Sequence, residues 1–344
     1  MSPTSQSPNP LSAILNDTMK ILTSLLISTF SILNVFGQTE LQPFSFKGKI
    51  YIKEAYAKID TNSKWFFDST YYEKARKQKE FECVKVIYSS DAEKVEGWIY
   101  KPINSKNKKY PLIIFNRGGT GNFGNLEESD LVNFYKLASS GYVIIASQYR
   151  FVGAKGKYDQ LGGTDVNDIL NLSKVYNSLP YIDTCNVFMF GVSRGGQMTY
   201  QVSKTMNLNA VAVIGGVADF NVQVLNRNEF IEGWTEDRNP DENFMGLKNT
   251  LADFEINKNL YLNQRSATQW ADSIKPPILI LHSRRDPFVS CDQVLMMATE
   301  LQKYKKEYSL TIYDRKSHAL PFKYFDSYDR ILEWFDLHKR KNCR

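Results

Sequence analysis

The chain has 344 residues, 42% hydrophobic and 23% charged, with 43 basic against 37 acidic side chains and a net charge of +6. These are globular values, and they exclude a wholly disordered chain, a collagen-like repeat and a polytopic membrane protein. The basic excess is spread thinly, which argues against a nucleic-acid partner, and four widely separated cysteines (Cys83, Cys185, Cys291, Cys343) with no C-x-x-C pair exclude zinc fingers and disulfide-framework minidomains.

Residues 1–18 are polar, with Asp17 as their only charge. Met19-Lys20 then opens the stretch Ile21–Phe36, whose apolar run is broken by Thr23, Ser24, Ser28, Thr29, Ser31 and Asn34. A spanning helix needs about 20 mostly apolar residues, so this run is too short and too polar. It suits the apolar region of a secretory signal cut between Gly37 and Gln38, with translation starting at Met19. Residues 1–37 are therefore expected to be a leader and signal peptide outside the fold. The protein is expected to be exported, periplasmic or extracellular, with no stable membrane insertion after cleavage. An uncleaved amphipathic anchor or a buried N-terminal helix is the alternative.

Residues 38–80 mix aromatics with charges (Trp65, Phe66, Phe67, Tyr71, Tyr72, then Lys74, Arg76, Lys77, Lys79) and read as an N-terminal wrap, partly helical. Phe81–Tyr88 and Glu96–Tyr100 flank a polar turn at 89–94, a hairpin signal. Asn104–Lys109 reads as a solvated lysine-rich turn. Apolar runs follow at Leu112–Phe115, Val143–Ala146, Val187–Phe190, Ala210–Ile214, Ile278–Leu281 and Leu310–Tyr313. Few alternate with polar residues, as in strands covered on both faces. Helical patterns lie between them: Val166, Ile169, Leu170, Val175 and Leu179, ended by Pro180, and later Tyr328, Ile331, Leu332 and Phe335. The alternation predicts an α/β fold with a mostly parallel, doubly wound sheet. The spacing from Gly215 to Pro277 is too long for a simple crossover and predicts a helical insertion at about 216–270.

Gly191-Val192-Ser193-Arg194-Gly195 is a G-x-S-x-G pattern that follows the strand Val187–Phe190 and opens the helix-like stretch Gly196–Met206. That is the context of a nucleophile elbow, a strained strand-to-helix turn that exposes a serine hydroxyl at a helix N-terminus. A serine needs a base, and the fold orders the chain as Ser, acid, His. His318 sits in the polar loop after the last strand, where the base belongs. His282, at a strand terminus, reads as structural, and His338, among Lys339, Arg340 and Lys341, as surface. Asp286 follows the preceding strand and is the expected acid; its rival Asp314 stands only four residues before His318. The backbone N–H of Arg194 and the loop Arg117-Gly118-Gly119 are the expected oxyanion donors.

From about Phe81 onward the chain resembles the α/β-hydrolase catalytic domain of the prolyl oligopeptidase family. The resemblance rests on Val187–Gly196, on Arg265-Ser266-Ala267 through Trp270 to Pro277, and on Ile278–Val289, similar to an H-G-x-x-D-x-x-V motif with Ser283 in place of Gly. It implies Ser193, Asp286 and His318 as a catalytic triad in a domain spanning 81–344, with the insertion as a lid. Tyr149-Arg150 through Gly162-Gly163-Thr164-Asp165 and Asp168 also look similar to the family, as scaffold. Two features depart from it. The stretch between Gln38 and Phe81 has no room for the β-propeller typical of members. Arg117 stands where members often place Tyr or His, so the second oxyanion donor is a backbone N–H or the guanidinium. The expected activity is cleavage of an ester or amide in a small ester or short peptide through an acyl-enzyme on Ser193, with no metal or organic cofactor. Ser193 argues against the dienelactone-hydrolase-like relatives, which use Cys. Trp234, Phe244 and Arg265 are pocket candidates, each with a plainer reading as lid core or surface. The alternative function is a catalytically silent binding protein on a hydrolase fold.

Overall fold

The computed structural model describes residues 43–104, 108–234 and 244–341. The expected signal peptide (1–37) lies outside the described residues, as do part of the lysine-rich turn, residues 235–243 of the insertion, and Cys343. Cys83, Cys185 and Cys291 are free thiols. Among the described residues no helix is long and apolar enough to cross a membrane.

Nine strands form one sheet: β1 (Phe44–Ile50), β2 (Phe81–Ser90), β3 (Glu93–Pro102), β4 (Tyr110–Asn116), β5 (Val143–Ser147), β6 (Ile182–Val192), β7 (Val211–Ile214), β8 (Ile278–Ser283) and β9 (Tyr308–Tyr313). Their order is β1-β2-β3-β5-β4-β6-β7-β8-β9. The β1-β2-β3-β5 pairings are antiparallel and the rest parallel. The predicted hairpin is β2–β3, and each predicted apolar run is a strand.

The two-sided burial of the parallel strands is visible residue by residue. Leu112, Ile114, Val187, Met189, Val211, Val213, Ile278 and Ile280 enter one core, whereas their neighbours Ile113, Phe115, Phe188, Phe190, Ala212, Ile214, Leu279 and Leu281 enter another. Successive side chains point to opposite faces, so a strand covered on both must be apolar at every position. Each such side chain larger than alanine contributes roughly 1.5–3 kcal/mol on burial. One face is covered by Val166–Leu170, Leu172–Tyr176, Arg194–Val202 and Cys291–Lys303, the other by Ser69–Lys77, Leu131–Ala138 and Ser327–Leu337.

Two expectations need correction. The segment 38–80 is helical at Thr61–Phe66 and Ser69–Lys77, but it also contributes β1. Within β1 only Phe44 is buried, and a register shift lies between Phe46 and Gly48. An exposed, lysine-bearing, bulged strand is how an edge avoids further pairing, and it carries no apolar periodicity to read. The single helical pattern at 166–179 is two short helices that meet at Asn171.

Within the described residues the insertion between β7 and β8 holds Phe220–Asn226, Glu229–Glu232, Leu247–Thr250 and Phe254–Arg265. They close on a separate apolar cluster that includes Val217, Phe220, Ile231, Phe244, Leu247, Phe254 and Leu262. Its two ends are tied together. Thr268 N–H donates to Ala218 O at 3.2 Å, Phe220 N–H donates to Ser266 Oγ at 2.8 Å, and Thr268 Oγ1 donates to the Asp219 carboxylate. Asp219 also caps Phe220–Asn226 through the N–H groups of Asn221 and Val222.

Candidate active site

β6 runs directly into Ser193, which has φ 57° and ψ −123°, and the helix Arg194–Val202 begins at the next residue. A positive φ at a serine is a strained state that persists only where neighbours over-determine it. Here Ser193 N–H is fixed to Ile214 O at 2.9 Å. A Cβ at Gly191 would lie 2.1 Å from Gly195 O, and one at Gly195 1.9 Å from Asn116 O. The turn packs so tightly on itself and on the end of β4 that only glycine fits at either position.

Gly118 follows β4 and lies against the serine: a Cβ there would sit 3.3 Å from Ser193 Cβ and 3.9 Å from its Oγ. Gly119 has φ +70° and packs on the Phe123 carbonyl. The Arg117 side chain is turned into the protein. Its Nε donates to Gln148 O at 2.9 Å, Nη1 to Gly118 O and Phe123 O, and Nη2 to Gly121 O and Gln148 O. All five of its N–H groups are thereby committed. Of the two donors left open by the sequence, the guanidinium is occupied and the backbone N–H groups of this loop remain.

The structure brings Asp286 and His318 together. Asp286, in the loop after β8, has a fully buried side chain. Its Oδ1 accepts from the N–H groups of Phe288 at 2.8 Å and Val289 at 3.1 Å. Its Oδ2 lies 2.7 Å from His318 Nδ1. With Nδ1–H donating to a fixed carboxylate, the Nε2 lone pair is the one available as base. The ring is held edge-on by Phe288, centroids 5.2 Å apart. The rival Asp314 is exposed and pairs with Arg284 at 2.6 Å and Arg285 at 3.6 Å. His282 is buried, with Nε2 3.1 Å from Val289 O; burial lowers its pKa and keeps it neutral. His338, at the end of the last helix, bonds Trp334 O and Glu307.

Ser193, His318, Gly118 and Gly119 line one cavity of about 510 Å³. Its walls are largely apolar: Phe123, Leu161, Val217, Phe220, Phe230 and Trp234 stand on one side, and Glu127 and Asp130 on its polar rim. Burial pushes the Asp130 carboxyl up to about 6, against the Glu127 N–H bond that lowers it. Of the three pocket candidates, Trp234 is on the wall, edge-on to Phe123 at 5.6 Å. Phe244 stands behind it, 5.8 Å away in the insertion's own core. Arg265 is buried on the carbonyls of Gln160, Leu161 and Tyr261 and does not line the cavity. The sequence did not single out Asp159. Its carboxylate accepts from Thr120 Oγ1 at 2.8 Å, Gly121 N–H at 2.8 Å and Arg194 Nη1 at 2.8 Å. Arg194 Nη2 also meets Asp165 at 2.5 Å. No spacing rule links these positions; only the folded loops bring them together.

A family model described as the prolyl oligopeptidase family matches residues 128–341. The peptidase YuxL of Bacillus subtilis is 26% identical over 275 residues, 73% of this chain and 38% of YuxL. The peptidase YtmA of the same organism is 23% identical over 69% of this chain and 86% of its own length. The structure of the Pyrococcus horikoshii acylaminoacyl peptidase superposes with a TM-score of 0.60 at 22% identity, covering 83% of this chain and 45% of that one. This chain thus spans less than half the length of YuxL and of the Pyrococcus enzyme, and most of YtmA.

Proposed function

The chain belongs to the prolyl oligopeptidase family, and from that premise we propose that it is a serine hydrolase acting on short peptides or small esters with an apolar group at the scissile carbonyl. One observation carries this reading: a serine on a strained elbow shares a cavity with a histidine whose Nδ1 is held at 2.7 Å by a buried aspartate.

In the proposed mechanism His318 Nε2 takes the Ser193 hydroxyl proton as Oγ attacks the carbonyl. Asp286 holds the ring in the tautomer that leaves Nε2 basic and stabilises the imidazolium that forms. The oxyanion is met by Arg194 N–H at the helix N-terminus and by a backbone N–H of the Gly118-Gly119 loop; each such donor is worth about 10²–10³ in rate. The tetrahedral intermediate collapses as imidazolium protonates the leaving group. Water, deprotonated by His318, then releases the acyl group from Ser193. The aromatic wall from the insertion favours an apolar acyl or side chain, and the insertion acts as a lid. The two Bacillus relatives are named peptidases, which favours peptides over esters. The apolar stretch before Gln38 supports export, which the N-terminal mass of protein recovered outside the cytoplasm would test.

The test of the activity is fluorophosphonate labelling, with the adduct located by mass spectrometry and Ser193→Ala run alongside. An adduct on Ser193, absent from the variant, is expected. Folded protein that takes no label would overturn the hydrolase reading in favour of a silent binding protein. Peptide p-nitroanilides and p-nitrophenyl esters with aromatic and small acyl groups then separate peptidase from esterase.

A further inference from the structure

Three consecutive carbonyls of the loop beside Ser193 are held from inside the protein. Arg117 O accepts from the Tyr149 hydroxyl at 3.2 Å. Gly118 O accepts from Arg117 Nη1 at 2.9 Å. Gly119 O accepts from Arg194 Nη1 at 3.0 Å. Tyr149 is fully buried just after β5, at φ 62°. Both guanidinium groups stack on its ring, Arg117 at 4.8 Å and Arg194 at 4.7 Å from the centroid. Asp159 fastens the next turn through Thr120 and Gly121.

We infer that Tyr149, with the two arginines stacked on it, is a positioning residue that aims and strengthens the backbone oxyanion donors of Gly118 and Gly119. The inference rests on the hydrolase reading above. In a trans peptide the N–H points opposite to the C=O. Pinning the carbonyls of residues 117, 118 and 119 inward therefore fixes the N–H groups of Gly118, Gly119 and Thr120 on the other side of each peptide plane. Gly118 is the residue in contact with Ser193. A hydrogen bond accepted by a carbonyl also polarises the rest of that peptide, so its N–H becomes a stronger donor. The effect is larger where the partner is charged, as both guanidinium groups are.

Charge placement acts in the same direction. Arg194 and the buried Arg265 together balance the two carboxylates of Asp159 and Asp165. Arg117 bonds only carbonyl oxygens, and burial lowers its pKa to about 10, which leaves it a cation at neutral pH. Among the described residues no carboxylate bonds this buried cation, which favours negative charge developing nearby. Burial raises the Tyr149 pKa, so its hydroxyl stays protonated and remains a donor.

The test uses Tyr149→Phe, which keeps the ring and its stacking and removes only the hydroxyl, and Arg117→Lys, which keeps a charge and loses the fork across four carbonyls. Steady-state hydrolysis of a p-nitrophenyl ester gives kcat and KM, and a trifluoromethyl ketone reports affinity for a tetrahedral adduct. Tyr149→Phe is expected to lower kcat about tenfold with KM within about twofold, and to weaken ketone binding by the same factor. Arg117→Lys is expected to show the same pattern at about a hundredfold. A folded Tyr149→Phe with unchanged kcat and ketone affinity overturns the inference while leaving the hydrolase reading intact. So does a loss confined to KM or to thermal stability. If Arg117→Lys does not fold, Tyr149→Phe decides alone. A wild type that neither labels nor turns over removes both the hydrolase reading and this inference.

Discussion

Gly215 ends β7 at φ +53°, directly beneath the Asp286–His318 pair. A Cβ built there would lie 2.7 Å from His318 O, 3.1 Å from His318 Nδ1 and 3.2 Å from Asp286 Oδ2. The glycine cannot retreat, because its N–H is held by Leu281 O at 3.0 Å. In Gly215→Ala the His318 loop must therefore move. Left-handed backbone costs an alanine about 1–2 kcal/mol. Relieving the contact with the His318 carbonyl moves the loop by roughly half an ångström. The imidazole moves with its own backbone, and a displacement of about 1 Å in a catalytic group costs about 10²-fold in rate. The expected result is a protein destabilised by about 2–4 kcal/mol in guanidinium chloride whose fluorophosphonate labelling rate and kcat fall between about tenfold and a hundredfold. Gly141→Ala is the control: its φ is +91° and nothing lies within 4 Å of the added carbon, so it carries the backbone cost of about 1–2 kcal/mol with full activity. A folded Gly215→Ala that labels as fast as Gly141→Ala would refute this account of how the pair is held.

Asp286→Asn keeps an oxygen for the N–H groups of Phe288 and Val289 and turns its amide toward His318, which favours the wrong imidazole tautomer; kcat should drop about 10⁴-fold, and a drop under about tenfold would count against Asp286 as the orienting acid. Ser193→Gly removes a Cβ from φ 57° and should raise stability by about 1 kcal/mol while abolishing labelling; a lower denaturation midpoint would contradict the strain. Asp130 is expected to erode stability with pH. Its folded pKa is raised to about 6, so the unfolded chain loses the proton first and stability falls between about pH 4 and 6, staying low above that. Asp130→Asn should remove this fall, seen as a gain of about 1–3 kcal/mol at pH 7.5 that vanishes near pH 3.5. A pH-independent difference between the two proteins would exclude it.

The sheet was legible because two-sided burial makes every residue of a strand apolar, so Ile278–Leu281 and its counterparts stand out without any alternation. The elbow was legible because its short spacing is local: Gly191 answers to Gly195 and Thr199, although Gly195 answers to Asn116 on β4. The pairing of Asp286 and His318 followed from chain order together with their places after two successive strands. β1 was not legible: Phe44 is its only buried residue, and Lys47 and Lys49 make it resemble the polar wrap around it. Nor was the inward turn of Arg117. Its partner Gln148 is 31 residues away, and a guanidinium that satisfies carbonyl oxygens leaves no complementary acid to be found in the sequence. The same holds for Arg194 and Asp159, separated by 35 residues: each aspartate in the segment 159–168 could equally have been read as a turn residue.

The stitching of Ala218 and Asp219 to Ser266 and Thr268 makes the insertion a nearly self-contained loop that leaves the sheet and returns to it at one point. Lengthening a loop with fixed ends carries only a slowly growing entropic penalty, about 0.6 kcal/mol per doubling. The wall that carries Phe220, Phe230 and Trp234 can therefore be resized at little cost, with Gln223, whose amide donates to Phe288 O at 3.0 Å, as the tie it must keep to the Asp286 loop. On this architecture, what the chain accepts and how it reacts are separable traits, and selection can rewrite the first while the second stands still.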